Sequence, residues 1–264
     1  MFYSPEERGF SVQSTLTFSE DHELFREAVR EFVAHEITPH YPEWEQAHIM
    51  PRSVWQAAGE AGVLGLAVPE EFGGAQLPDY EYQLVLTQEL ATVGGYGFAL
   101  AVHLQQDLVL PYLLAYGTHE QKERWLPQMV SGDLVTSCAF TEPGAGSDLR
   151  ECRTSAVRDE NSYLLNGQKT FIGSGISGDA DLVLARTDGS SERASEDSFS
   201  LFFVEKSDGY APGRQLDKIG IRASDTAELF FENVRVPAEN LIGEPGQGLT
   251  YIKQHLPQAR LAIA

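Results

Sequence analysis

Cysteine is scarce in this sequence. Two residues, Cys138 and Cys152, occur among 264. They form neither a metal-ligand spacing nor a disulfide framework, so no metal site is expected and a reducing, cytoplasmic setting is the simple expectation. Basic residues are also few. Nineteen Lys and Arg stand against 39 Asp and Glu, a formal charge of −20. Nucleic acid binding needs a basic footprint, and this balance argues against it. Long apolar runs are missing too. The most apolar stretch, 98–114, is interrupted by His103, Gln105, Gln106, Asp107 and Pro111, so no membrane span is expected. The first residues, Met1-Phe2-Tyr3-Ser4-Pro5-Glu6-Glu7, show neither a basic n-region nor an apolar h-region, which argues against a signal peptide.

What is present is an ordinary globular composition with a change of texture along the chain. After a tail at 1–18, the stretch 19–133 reads as helices. Leu24, Phe25, Ala28, Phe32, Val33 and Ile37 share a helical face, with Ser19 as N-cap and Pro39 and Pro42 as the stop. Further helices are expected over 52–61, 80–93 and 98–116. Thr118 and Gln121 make a capping-box pattern for another, burying Trp125, Leu126 and Met129. From 134 to 245 the pattern turns to short β-branched or alternating runs: 134–140, 154–158, 162–165, 169–172, 181–186, 199–205, 228–231 and 234–236. Asn166-Gly167 predicts a hairpin between two of them. The polar stretch 188–198 reads as a mobile loop. This spacing predicts a small β-barrel or sandwich and an α+β fold. Residues 246–264 open another helical period without a stop signal, so the expectation is the first helix of an incomplete C-terminal bundle.

The densest motif is Thr141-Glu142-Pro143-Gly144-Ala145-Gly146-Ser147-Asp148. It follows an apolar run and supplies glycines, which allow close backbone approach to a ligand, and hydroxyls. Gly173-Ser174-Gly175-Ile176-Ser177-Gly178 fits G-x-G-x-x-G literally, but a strand pattern follows where a dinucleotide fold needs a helix. It is read as a glycine-rich turn. His35 and His40 miss the zinc-protease spacing and are expected at the surface. Trp44, Trp55 and Trp125 are expected in the core.

The octapeptide resembles the signature of the acyl-CoA dehydrogenase family. Several segments in the family's order support the resemblance: Val68 to Gly74, Gly117 to Lys122, Asn166 to Ile172, Asp217 to Thr226, Phe231 to Pro237 and Gly246-Gln247-Gly248. It implies a helical domain, a small β-barrel and a helical bundle, with FAD as cofactor, an acyl-CoA thioester as substrate, an electron-transfer flavoprotein as partner, and homo- or hetero-oligomeric assembly. Electrostatic steering would oppose a polyanionic ester, so such binding would rest on local donors. By resemblance, Cys138, Phe140, Thr141, Gly146, Ser147, Phe171, Ile172 and Gly173 border the flavin. Phe171 stands where tryptophan is usual, and Gly173 where a hydroxyl residue is common. Ser147, Thr250, Tyr251, Pro257 and Arg260 border the substrate. Glu142 is expected to be structural.

The segment His255-Leu256-Pro257-Gln258-Ala259-Arg260 is most similar to the long-chain type, which carries its catalytic glutamate immediately before the arginine. Ala259 occupies that position here. Alanine accepts no proton, so the sequence supplies no catalytic base. The readings left open are a truncated enzyme, one subunit of a hetero-oligomer completed by a partner, and a non-catalytic relative. The first two are preferred.

Overall fold

The computed structural model of the protein describes residues 17–77, 79–187 and 195–263. Most of the tail at 1–18 and most of the polar stretch 188–198 lie outside these residues. The first half is helical: α1 (Glu20–Phe32), α2 (Tyr41–Ala47), α3 (Arg52–Glu60), α4 (Glu81–Thr92), α5 (Tyr96–Leu108), α6 (Leu110–Tyr116) and α7 (His119–Ser131). Ser19 caps α1 and Thr118 caps α7, each with a reciprocal capping box. The buried face of the first helix is only in part the expected one: Phe32, Val33 and Ile37 are buried and Phe25 packs against the core, but Leu24 and Ala28 are exposed. His22, Arg26, Val29 and Phe32 point inward, while Leu24 is 64% exposed. Arg26 can be buried because its guanidinium meets the buried Glu89 at 2.8 Å. After Phe32 the helix widens to a π-turn, Val33–Ile37, which shifts the phase of the apolar stripe.

The stretch expected as one helix over 98–116 is two, parted at Val109 just before Pro111. By length and composition Tyr96–Tyr116 could cross a membrane, but 67% of the apolar window is buried inside the fold. Burial against neighbouring helices accounts for its apolar character. Trp44, Trp55 and Trp125 are all buried, as the helical patterns require, and His35 and His40 are exposed.

The second half is one eight-stranded sheet: β1 (Thr136–Ala139), β2 (Ser155–Asp159), β3 (Ser162–Gly173), β4 (Ala180–Arg186), β5 (Phe199–Glu205), β6 (Tyr210–Gln215), β7 (Thr226–Pro237) and β8 (Leu241–Ile242). The strand order is β6-β7-β3-β2-β4-β5-β8, with β1 paired in parallel to β4. The expected closed barrel is therefore corrected to an open, folded sheet. Among the described residues the end strands β6 and β8 do not pair with each other: β8 is two residues long, and β6 carries Pro212, which has no N–H to give. Strands β4 and β5 are apolar on both faces because both are covered. Leu182, Leu184, Leu201 and Phe203 pack towards α6, α7 and the final helix, α8 (Gly248–Ile263). Val183, Ala185, Phe202 and Val204 pack inside the folded sheet with Leu165, Leu229 and Phe231.

Asn166-Gly167 is not a hairpin turn. It lies within β3, where the register against β7 shifts between Leu165 and Gly167. The chain reverses instead between Asp159 and Ser162. The reason is continuity: residues on both sides of Asn166 pair with β7, and the extra residue of the bulge is on β7, where Glu232 and Asn233 stand opposite Asn166. Asn166 Oδ1 then accepts the Asn233 amide at 2.8 Å. Gly167 has φ 154°, and a Cβ there would stand 2.4 Å from Thr154 Oγ1. Gly167→Ala is expected to destabilise the fold by more than about 1 kcal/mol, read as a shifted denaturant midpoint. An unchanged midpoint would contradict this account of the bulge.

Candidate functional site

The loop after β1 is built on a buried charge pair. Glu142 and Ala145 exchange both backbone bonds, at 2.9 and 3.0 Å, closing a tight turn over Pro143 and Gly144. The Glu142 carboxylate accepts the amides of Arg153 (2.7 Å) and Thr154 (3.0 Å) and the Lys169 ammonium (2.8 Å). Lys169 is fully buried and also donates to the Phe140 carbonyl at 3.2 Å. Desolvation alone would raise the Glu142 acid. The Lys169 charge and these donors outweigh it and hold the carboxylate below its ordinary range. Every Glu142 contact is internal to the loop and sheet, which fits the structural role expected of it. Burial pushes the Cys152 thiol up to about 11, so this cysteine is unreactive. Cys138 and Cys152 are both free.

Thr141 Oγ1 donates to the Thr170 carbonyl at 2.6 Å, and the Thr170 amide returns a bond to Thr141 O at 3.0 Å. This pairing sets Thr141 beside Phe171. The Phe171 ring is 71% exposed on a backbone with φ 59°. Ile172 is buried in the sheet core and pairs with Ala227 on β7. Phe140 is buried, and Cys138 packs against the core shared with the helices. A Cβ on Gly146 would meet nothing within 4 Å, so the loop presents an open surface there. A Cβ on Gly173 would stand 2.4 Å from Leu104 Cδ1, so a serine or threonine there would require Leu104 to move.

Ser147, Pro257 and Arg260 come together. They line one cavity of about 560 Å³ between the loop and α8. Its walls are apolar at Leu249, Ile252 and Leu256 and basic at Arg150, Lys253 and Arg260. Its two carboxylates are both ion-paired, Asp148 with Arg150 at 2.7 Å and Glu196 with Lys253 at 2.6 Å. Among the described residues, two of the three basic groups are thus matched by carboxylates of the same cavity, and Arg260 is the one that is not, in a chain with net charge −20. Thr250 and Tyr251 do not line this cavity. The Tyr251 ring stacks on Tyr116 with centroids 3.7 Å apart, and its hydroxyl accepts the Glu244 amide.

Ala259 is 1% exposed, and its carbonyl accepts His103 Nε2 at 3.1 Å. The other ring nitrogen of His103 lies 2.6 Å from Asp107 Oδ2, and Asp107 Oδ1 accepts the Tyr80 hydroxyl at 3.0 Å. In the sequence these two residues stood only as interruptions of an apolar run. Their i, i+4 spacing was the signal that places them on one face of α5. Sequence reasoning also passed over Asp181 on β4, which is buried against the Tyr210 hydroxyl.

Residues 19–133 match the family profile "Acyl-CoA dehydrogenase, N-terminal domain", and residues 137–234 match "Acyl-CoA dehydrogenase, middle domain". The chain belongs to the acyl-CoA dehydrogenase family. A mitochondrial long-chain specific acyl-CoA dehydrogenase of Sus scrofa is 43% identical over 94% of the chain, which spans 57% of that relative. An acyl-CoA dehydrogenase structure from Geobacillus kaustophilus is 45% identical, with TM-score 0.89 over 93% of this chain and 64% of that one. A glutaryl-CoA dehydrogenase of Mycobacterium smegmatis, solved in complex with FADH2, is 31% identical, with TM-score 0.82 over 93% of this chain and 61% of that one.

Proposed function

We propose that the chain is part of an FAD-dependent acyl-CoA dehydrogenase that desaturates an acyl thioester between its α and β carbons. The observation that carries the reading is the meeting of Ser147, Pro257 and Arg260 in one cavity between the octapeptide loop and α8. The residues fit a flavin: an exposed aromatic at Phe171, open space at Gly146 and a hydroxyl at Thr141. Tyr112 adds a buried hydroxyl without a partner, packed edge-on to Phe140. FAD, when bound, supplies the hydride acceptor. Thr141 and Phe171 would meet the ring, Gly146 and Ser147 its phosphates, and the Ser147–Arg260 cavity the acyl-CoA. Arg260, the basic group at that cavity not matched by a lining carboxylate, supplies a local donor for a polyanionic ester that the acidic chain would repel at long range. The family resemblance implies an electron-transfer flavoprotein as the partner of the flavin that these residues would hold.

A second reading, a subunit completed by a partner, is favoured by the buried alanine at 259, which leaves that helix without a base. Loading the protein with FAD and adding an acyl-CoA distinguishes the two. The enzyme bleaches its flavin once the remaining segment of its own chain is supplied, whereas the subunit bleaches it only after the partner is added. Bound flavin that never bleaches would sink both. Arg260→Ala is expected to weaken acyl-CoA binding about tenfold at low salt and less at high salt, since exposed charges are screened. Equal binding by both proteins in a low-salt titration would remove Arg260 from the site.

A further inference from the structure

The turn at 174–177, which follows Phe171 at the end of β3, is held from both halves of the molecule. Phe171, Ser174 and Ile221 have φ of 59°, 53° and 55°. A β-branched residue in this region is an outlier, and such backbone persists only where its surroundings over-determine it. Asp225, 2% exposed, supplies one such constraint. Its Oδ2 accepts the amides of Ile176 (2.7 Å) and Ser177 (3.4 Å), and its Oδ1 accepts Ser177 Oγ at 2.5 Å. Its carbonyl accepts the Ser174 amide at 2.9 Å. The glycine-rich turn 173–178 does present anion-binding amides, and the anion is a carboxylate of the same chain.

Asp225 ends a strap, residues 217–225, that reaches back to the helical half. Glu45 on α2 accepts the Arg222 amide at 3.1 Å and the Ala223 amide at 3.0 Å. Tyr41 donates to the same carboxylate at 2.9 Å and accepts the Gly97 amide at 2.8 Å. The Arg222 guanidinium in turn donates to Lys218 O at 2.7 Å, and the Lys218 ammonium donates to Ser224 O, tying the strap to itself. The seat is tight: a Cβ on Gly97 would stand 2.9 Å from Ala223 Cβ.

We propose that Glu45 and Asp225 are positioning residues that act through this strap to fix the 170–178 turn and hold Phe171 exposed for the flavin. The inference rests on the flavin reading given above. Glu45 anchors the strap to the helices, and Asp225 transmits that anchor to the turn. Thr141 fixes the turn from its other end through Thr170.

Hydrogen exchange measured by mass spectrometry on the whole chain tests this, with FAD titration beside it. In Asp225→Asn, amides of 170–178 are expected to exchange at least tenfold faster, while those of 199–205 stay unchanged. Glu45→Gln is expected to loosen 217–224 and 170–178 together. Ser177→Ala removes a single bond and gives a milder version of the Asp225 effect should that variant not fold. Unchanged exchange at 170–178 would overturn the proposal. Acceleration spread evenly along the chain would also overturn it, since that marks a merely structural role. FAD affinity is expected to fall about tenfold in Asp225→Asn and Glu45→Gln. A looser turn with undiminished affinity would refute the positioning role. Wild-type protein that takes up no FAD would count against the flavin reading, and exchange would still decide the clamp.

Discussion

Replacing Lys169 with methionine is expected to lower the free energy of unfolding by about 3–5 kcal/mol, because it leaves the Glu142 carboxylate buried without its charge partner. Lys169 has no exposed surface and Glu142 has 8%. The ammonium holds two oxygens of the octapeptide loop, Glu142 Oε1 and Phe140 O, so the damage falls on the loop that carries Thr141 and Ser147. The effect depends on pH with a definite sign. Glu142 is depressed below its ordinary value in the fold, so its stabilisation is present above the unfolded value and is lost as pH falls through the folded one. The difference between wild type and Lys169→Met should therefore be largest near neutrality and shrink in acid. A further change, Glu142→Leu in the Lys169→Met background, should recover part of the loss by removing the stranded charge. Urea unfolding at several pH values measures all three quantities. A penalty under about 1 kcal/mol at neutral pH would place this pair among surface salt bridges.

Asp181→Asn is expected to have the opposite sign. Burial raises the Asp181 acid to about 6, although the Tyr210 hydroxyl and the Lys206 charge act against the rise. A carboxyl raised in the fold is neutral in both states at low pH and costs stability once it ionises. The wild-type fold should therefore lose stability relative to the asparagine variant as pH rises from about 4 to about 6, with no further loss above. A rise of about two units corresponds to roughly 3 kcal/mol, and the lost charge-assisted bond to Tyr210 offsets part of it. The expected net gain for Asp181→Asn at neutral pH is about 1–3 kcal/mol. A stability difference that does not change between pH 4 and 7 would refute the burial argument.

The helical half shows which parts of this architecture are legible in the sequence. The capping boxes at Ser19 and Thr118 and the inward Trp55 and Trp125 follow from local chemistry and periodicity, and the structure has them. The inward Phe32, Val33 and Ile37 follow as well, but the inward His22, Arg26 and Val29 of α1 do not. A hydrophobicity reading cannot anticipate that Arg26 is buried by a carboxylate 63 residues away, or that a π-turn shifts the stripe. Asn166-Gly167 fails for a related reason. The dipeptide allows a turn, but long-range pairing with β7 leaves it no turn to make. Strand β6 was missed because its Pro212, Gly213 and exposed Ala211 give no apolar alternation.

At the site, residue types were legible and their neighbours were not. The sequence by itself determined the family, the helix-then-sheet order and the hydroxyl and glycine chemistry of the loop, because these reside in contiguous motifs. Tertiary structure alone decided that Ser147 and Arg260 line one cavity while Tyr251 turns to Tyr116, and that the Ala259 carbonyl meets His103, which in turn pairs with Asp107. It also decided that the glycine-rich turn closes on Asp225 and that the sheet stays open. The physical reason is range. Caps, turns and periodicity are set by residues within a few positions of each other. Ion pairs, cavities and strand edges are set by which distant segments share the same buried volume.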